Sequence, residues 1–263
     1  MKNLKTNGQP PFTVTVLHGG PGAPGSMAPV ARELAANWGL LEPLQTANTV
    51  AGQIEELRTV LSDYGQLPIT LVGSSWGAML GFMVAAHYPD LVKKLILVGS
   101  GPYEERYAAN IQATRLSRLT PAERREAHSL LTALEDPDRR DKGAALAQLG
   151  RLFTRTDAYQ PLTLETETLE VQPQIHQQVW GEAAALRKSG RLLALGQQIQ
   201  CPVVAIHGDY DPHPAEGVEQ PLAAVLADFR FILLRNCGHL PWLEREARDK
   251  FYEMLTTELR SAQ

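Results

Sequence analysis

The sequence predicts an α/β fold, a mostly parallel, doubly wound sheet with a helical insertion. Three observations carry this. Short apolar runs suited to buried strands recur at Val14 to Leu17, Ile69 to Val72, Leu95 to Val98, Val203 to Ile206 and Phe231 to Leu234. Helix-compatible stretches separate most of them, the alternation expected of parallel strands joined by crossovers. From Tyr103 to about Leu195 the strand signal stops and helix-forming sequence takes over. The predicted division is a core of residues 1–102 and 196–263, with 103–195 a helical cap, or lid, over the carboxyl edge of the sheet.

The first strand, Val14 to Leu17, runs into His18-Gly19-Gly20-Pro21-Gly22, and a helix follows from Ser26, a possible cap, to Trp38. Three glycines in five residues can bare backbone N–H groups. The spacing is not that of a phosphate loop, which needs Gly-Lys-Ser/Thr or G-x-G-x-x-G. Leu40 to Leu44 is a weak strand. Thr49 to Tyr64 reads as an amphipathic helix with Val50, Ile54, Leu57 and Leu61 on one face. Leu71-Val-Gly73-Ser-Ser75-Trp-Gly77 then places a G-x-S-x-G between a strand and a helix (Ala78 to His87). That context makes the pattern a nucleophile elbow, with the Ser75 hydroxyl held out from a strained turn. The Leu95 to Val98 strand ends in Gly99-Ser100-Gly101-Pro102.

Within the insertion, Thr120-Pro121-Ala122-Glu123 is a helix start, with cap, first-position proline and third-position Glu. Asp136-Pro137 ends that helix. After the insertion, Pro202 to Ile206 leads to His207-Gly208-Asp209-Tyr210-Asp211. A short helix is expected near Pro221 to Ala227, and the last strand leads to Asn236-Cys237-Gly238-His239. A final amphipathic helix is expected from Leu243 to Leu259.

In a parallel sheet the strands' carboxyl ends share one edge, where ligands bind. The loops after Leu17, Val72, Ile206 and Leu234 therefore meet, bringing together a glycine turn, a Ser, an Asp and a His. The chemistry needs that set. A serine hydroxyl is a weak nucleophile without a base. His239 titrates near neutral pH, and an acid can fix its tautomer and stabilise its charged form. The expected catalytic residues are Ser75, Asp211 and His239, with the backbone N–H groups of Gly20 and Trp76 as an oxyanion hole. Asp209 competes with Asp211. Asp211 is preferred because it lies further past the strand end, where the loop can turn toward His239. Among the other histidines, His18 is expected to brace its loop and His87 and His207 to be structural; His128 and His176 fall in the insertion, where they could face the pocket, though surface positions are expected. His213 is given no catalytic role. No cluster has metal-ligand spacing that rivals the triad, and no cofactor is expected.

The totals agree with such an enzyme. At 263 residues the chain suits one large domain with an insertion. A net charge of −4 with no long basic run argues against nucleic acid as a partner. No apolar stretch reaches membrane-spanning length, and the polar amino terminus lacks the apolar core of a signal peptide. The expectation is a cytoplasmic protein acting on a small molecule or short peptide, with no membrane partner. Cys201 and Cys237 fall before one strand and after its expected neighbour, roughly 15 Å apart at about 3.3 Å per residue, so both are expected to be free thiols.

With these motifs in this order, the chain resembles the α/β-hydrolase superfamily over most of its length outside the insertion. His207-Gly-x-x-Asp211 and Gly238-His239 match the superfamily's acid and histidine loops. His18-Gly-Gly-Pro-Gly22 and Ser75-Trp76-Gly77 resemble the proline iminopeptidase branch. The resemblance implies hydrolysis through an acyl-enzyme and, for that branch, lid acids that hold a substrate amine. Glu104, Glu105, Glu165 and Glu167 are acids of the lid, and none matches that role. Two departures stand out: only about a dozen residues precede the first strand, where family members usually begin with a hairpin, and Gln45-Thr46-Ala47-Asn48-Thr49 replaces the usual acidic, glycine-rich loop. The reading is a serine hydrolase of an ester or amide. The alternatives are an aminopeptidase, a carbon–carbon bond hydrolase, and a non-catalytic ligand-binding protein on the same fold.

Overall fold

The structure, a computed structural model, describes residues 3–136, 138, 142–162 and 172–262. Among these, seven strands form one sheet: β1 (Leu4–Asn7), β2 (Phe12–Leu17), β3 (Gly39–Pro43), β4 (Ile69–Ser74), β5 (Val92–Val98), β6 (Val203–Gly208) and β7 (Phe229–Leu234). Their order across the sheet is β1-β3-β2-β4-β5-β6-β7. All neighbours are parallel except β1, which pairs antiparallel with β3. β1 was not expected. It is four residues of mixed polarity on the outer edge, too short and too wet to show a strand pattern.

Side chains alternate between two apolar layers. Leu71, Leu95, Leu97 and Ala205 point into one. Val72, Ile96, Val98, Val204 and Ile206 point into the other. Both faces are buried, which is why the strands read as continuous apolar runs. Helices α1 (Ala28–Leu34), α2 (Val50–Tyr64) and α3 (Trp76–His87) follow β2, β3 and β4 in turn. Thr49 caps α2 by accepting the Gly52 N–H at 3.0 Å. Ser26 does not cap α1. Its Oγ accepts the Gly19 N–H at 3.2 Å instead and ties down the glycine loop.

Between β5 and β6 the described residues form helices α4 (Glu105–Ala108), α5 (Ile111–Ser117), α6 (Pro121–Glu135), α7 (Lys142–Thr156), α8 (Pro173–Lys188) and α9 (Arg191–Ala194), with no strand. Thr120 and Glu123 form the expected capping box at the start of α6. α6 and α7 share a small core of Leu119, Ala127, Leu130, Ala145 and Leu149.

Two helices start elsewhere than expected. α10 (Glu216–Val225) begins before Pro221 and keeps that proline inside. Pro221 has no N–H for the Gly217 carbonyl four residues back, and the Tyr103 N–H takes that carbonyl at 3.1 Å. α11 (Arg248–Arg260) begins later than Leu243. Residues 244 and 245 are drawn out of helical geometry by a bridge from Glu244 to Pro161 and by the Arg245 N–H donating to Gln160. No helix among the described residues is long and apolar enough to cross a membrane. Both cysteines are free, Cys237 fully buried.

Candidate active site

β2 and β4 are sheet neighbours, but the chain leaves β2 toward β3 and leaves β4 toward β5. This reversal opens a crevice at their carboxyl ends, where the glycine loop and the Ser75 turn sit. Leu17 pairs with Gly73, Ser74 with Val98, Val98 with Ile206, and Gly208 with Leu234. The loops carrying the predicted residues therefore leave the sheet at one level.

Ser75 has φ 53° and ψ −113°, a conformation costly for a side chain-bearing residue. Its neighbours make it possible. A Cβ on Gly73 would lie 2.2 Å from the Gly77 carbonyl oxygen, and one on Gly77 would lie 2.2 Å from that of Leu17. No side chain fits at either place, so the turn closes only with glycine there. Ser75 is half-buried, and its N–H donates to Val98 at 3.0 Å. Trp76 begins α3, so the helix itself supplies no partner for its N–H. Gly20 lies in the crossing loop at φ +66°. A Cβ on neighbouring Gly19 would lie 2.9 Å from the Ser75 Cβ.

A buried amide network holds the glycine loop. The His18 ring lies 3.0 Å from the carbonyls of Leu44 and Gly19. Burial lowers its pKa, so the ring is neutral and donates to one of them. Gln45 Nε2 donates to the His18 carbonyl at 3.1 Å, Gln53 Nε2 to Ala47 at 2.9 Å, and Trp76 Nε1 to Gln53 Oε1 at 2.8 Å. The Gln45 to Thr49 segment contributes the Gln45 amide and the Ala47 carbonyl to this network.

Asp211, and not Asp209, reaches His239. Asp211 Oδ2 lies 2.7 Å from His239 Nδ1. Asp209 is exposed and accepts the Cys237 N–H at 3.2 Å. His239 packs on the loop beyond Ser75's partner strand: a Cβ on Gly99 (φ +52°) would fall 2.5 Å from the His239 carbonyl oxygen and 3.3 Å from its Nδ1. Burial pushes His239 down, but the Asp211 charge and hydrogen bond, with help from Asp157, outweigh it, and the pKa is raised. Burial pushes Asp211 up. Its interaction with His239, with the hydrogen bond from His213 adding to it, outweighs burial, and its carboxyl stays well below the usual range.

Two features were missed in the sequence. His213 lies on Asp211's other oxygen, with Nδ1 at 2.7 Å and its own N–H at 2.9 Å from Oδ1. A D-x-H-x spacing after a predicted acid could have flagged it. Asp211, His213 and His239 lie within 4.8 Å of one another, a spacing that could hold a metal. Both Nδ1 atoms are already taken up by the carboxylate, Oδ1 by His213 and Oδ2 by His239, and the two rings lie tilted at 30° with centroids 4.5 Å apart. Glu244 is the second. It is 1% exposed and accepts the N–H groups of Tyr159, Gln160 and Gly238 at 2.7–2.9 Å.

The helical segment reaches every part of this site. The His239 N–H donates to Asp157 at 2.8 Å and the Gln172 N–H to Gly22 at 2.7 Å. Trp180 meets Trp76 edge-on at 5.8 Å, and the Arg118 guanidinium lies 3.7 Å over the Tyr210 ring. His176, expected on the surface, packs against Trp180 and is half-buried. Of the lid acids named above, none of which matches the amine-binding role, Glu104 pairs with Arg106 and Glu105 with Arg187. Glu165 and Glu167 lie outside the described residues.

Comparison with known proteins agrees with this architecture. A family model described as the alpha/beta hydrolase fold matches residues 21–246. No curated protein sequence matches the chain. The solved structure of VinJ is similar at TM-score 0.68 and 21% identity, covering 99% of this chain and 95% of that one. A 2-hydroxy-6-oxo-6-phenylhexa-2,4-dienoate hydrolase from Rhodococcus sp. strain RHA1 is similar at TM-score 0.61 and 19% identity, over 98% and 94%. A proline iminopeptidase of Mycobacterium smegmatis gives 0.62 and 20%, over 98% and 94%. At these identities the likeness is one of fold.

Proposed function

The chain belongs to the α/β-hydrolase fold family, and from that premise we propose that it is a serine hydrolase cleaving an ester or amide of a small substrate. Ser75 Oγ attacks the carbonyl carbon while His239 Nε2 takes its proton. The tetrahedral oxyanion is held by the N–H groups of Gly20 and Trp76, each worth about 3–4 kcal/mol of transition-state stabilisation. His239 returns the proton to the leaving alcohol or amine as the carbon–heteroatom bond breaks. Water, deprotonated by His239, then attacks the acyl-Ser75 ester and releases the acid. In this reading residues 103–195 act as a lid.

The observation that carries the proposal is the 2.7 Å contact of Asp211 Oδ2 with His239 Nδ1, on a loop packed against Gly99 beside the Ser75 turn. It leaves Nε2 as the nitrogen for proton transfer. An aminopeptidase reading has less support, since no lid acid is matched to an amine-binding role and the described Glu104 and Glu105 are both engaged by arginines. The test is a hydrolysis screen of p-nitrophenyl esters of increasing chain length against prolyl and alanyl arylamides, with Ser75→Ala as control. Ester turnover lost in Ser75→Ala supports the proposal. Preference for arylamides, also lost, makes the enzyme an aminopeptidase. No turnover and no labelling of Ser75 by a fluorophosphonate leaves a ligand-binding protein on this fold.

A further inference from the structure

We propose that His213 is a positioning residue that shares the Asp211 carboxylate with His239 and thereby sets how basic His239 is. The inference rests on the serine-hydrolase reading in that His239 is taken as the base. The geometry is a carboxylate held from both sides. Oδ1 faces His213 Nδ1 at 2.7 Å and the His213 N–H at 2.9 Å, and Oδ2 faces His239 Nδ1 at 2.7 Å. All three residues are nine-tenths buried or more. His207 closes the arrangement: its Nε2 lies 2.8 Å from the His213 carbonyl and 3.6 Å from Asp211 Oδ2.

The His213 ring must be neutral to play this part, with its proton on Nδ1. Burial drives it there, lowering its pKa to about 4 against the pull of Asp211. A neutral donor on Oδ1 stabilises the carboxylate's charge and draws it away from Oδ2, which leaves Oδ2 a weaker acceptor for His239. It also fixes the carboxylate's rotation, so that Oδ2 is the oxygen presented to His239. The other charged groups near the pair are Asp157 and Arg115 from the helical segment, which affect His239 in opposite directions and are bonded to each other. They are shared background for every variant below.

Two variants separate the hydrogen bond from the bulk. His213→Phe keeps a stacked ring and removes the donor. His213→Asn places Nδ2 on Cγ, where the imidazole carries Nδ1, and keeps it. His239 is followed by NMR titration of its imidazole in the resting protein, which needs no turnover, and by the pH dependence of kcat/KM for p-nitrophenyl acetate. The expected result in His213→Phe is a His239 pKa, and an acidic limb of kcat/KM, moved up by about 0.5–1 pH unit, a fraction of the worth of one hydrogen bond to a charged acceptor, because the effect reaches His239 only through Asp211. His213→Asn restores the wild-type values. An unmoved His239 titration in His213→Phe overturns the inference, as does an equal shift in both variants. If His213→Phe does not fold, His213→Leu, also without a donor, takes its place. Persistence of hydrolysis in Ser75→Ala would instead defeat the serine-hydrolase reading, and the NMR titration still decides the role of His213.

Discussion

The Glu244 carboxylate accepts the Gly238 N–H at 2.9 Å, so a buried acid holds the residue just before the proposed base. The same carboxylate takes the Tyr159 and Gln160 N–H groups, joining the end of the helical segment to the histidine loop. Glu244→Ala strands three buried donors at once. Each unmet donor costs about 1–3 kcal/mol, so a loss of at least about 3 kcal/mol in urea denaturation is expected. Glu244→Gln keeps an acceptor oxygen and falls between. A loss below about 1 kcal/mol in Glu244→Ala would show that these three bonds contribute little.

Glycine tolerance differs across the chain for reasons of space. At Gly77 a Cβ meets the Leu17 carbonyl oxygen at 2.2 Å, backbone that cannot step aside without moving β2. Gly77→Ala is expected to destabilise by about 1–3 kcal/mol or more, the usual range for overpacking. Gly181, on the exposed side of α8, has nothing within 4 Å of a Cβ. Gly181→Ala is expected to stabilise by about 0.5–1 kcal/mol through helix propensity. Thermal melts of the two variants should move in opposite directions, and a shared direction would contradict the packing described.

Asp211 and Asp209 are two residues apart on one loop and are expected to respond very differently. Asp211→Asn keeps the shape but offers His239 a different partner, and by analogy with other triads kcat should fall by roughly 10⁴. Asp209→Asn changes an exposed side chain whose described partners are the Cys237 N–H and Arg235. Its kcat should stay within a few-fold of wild type. Steady-state kinetics on the best ester from the screen checks both. Equal losses would mean that the acid has been misassigned.

Much of this was legible because the strongest physical constraints leave local marks. Burial on both faces writes continuous apolar runs, and a turn that admits no Cβ at Gly73 or Gly77 writes G-x-S-x-G. The chain order of Ser75, Asp211 and His239, read against a parallel sheet, already brings the last two together. What escaped was nonlocal. Pro221 sits inside α10 because Tyr103, more than a hundred residues earlier, takes the carbonyl it leaves open. α11 starts late because Gln160 and Pro161 engage residues 244 and 245. His213 and Glu244 matter through partners whose distance no spacing rule measures.

The buried histidines predict how the fold responds to acid. His176 is half-buried on α8, and burial alone lowers its pKa from 6.5 to about 4. The folded protein therefore prefers its neutral form, while the unfolded chain takes up a proton at 6.5. Its contribution is fully present above pH 6.5 and is lost as pH falls from 6.5 to about 4, at most about 3 kcal/mol by linkage. His18 and His213 are also lowered and act in the same sense. His239 is raised, so its contribution is present below 6.5 and is lost as pH rises through its folded pKa, which opposes the others. Three against one, stability should fall between pH 6.5 and 4. His176→Leu removes one of the three and should flatten that slope while leaving the region above pH 7 nearly unchanged. Urea denaturation at half-unit pH steps measures it, and parallel curves for wild type and His176→Leu would mean that His176 is solvated enough to titrate normally in the folded protein.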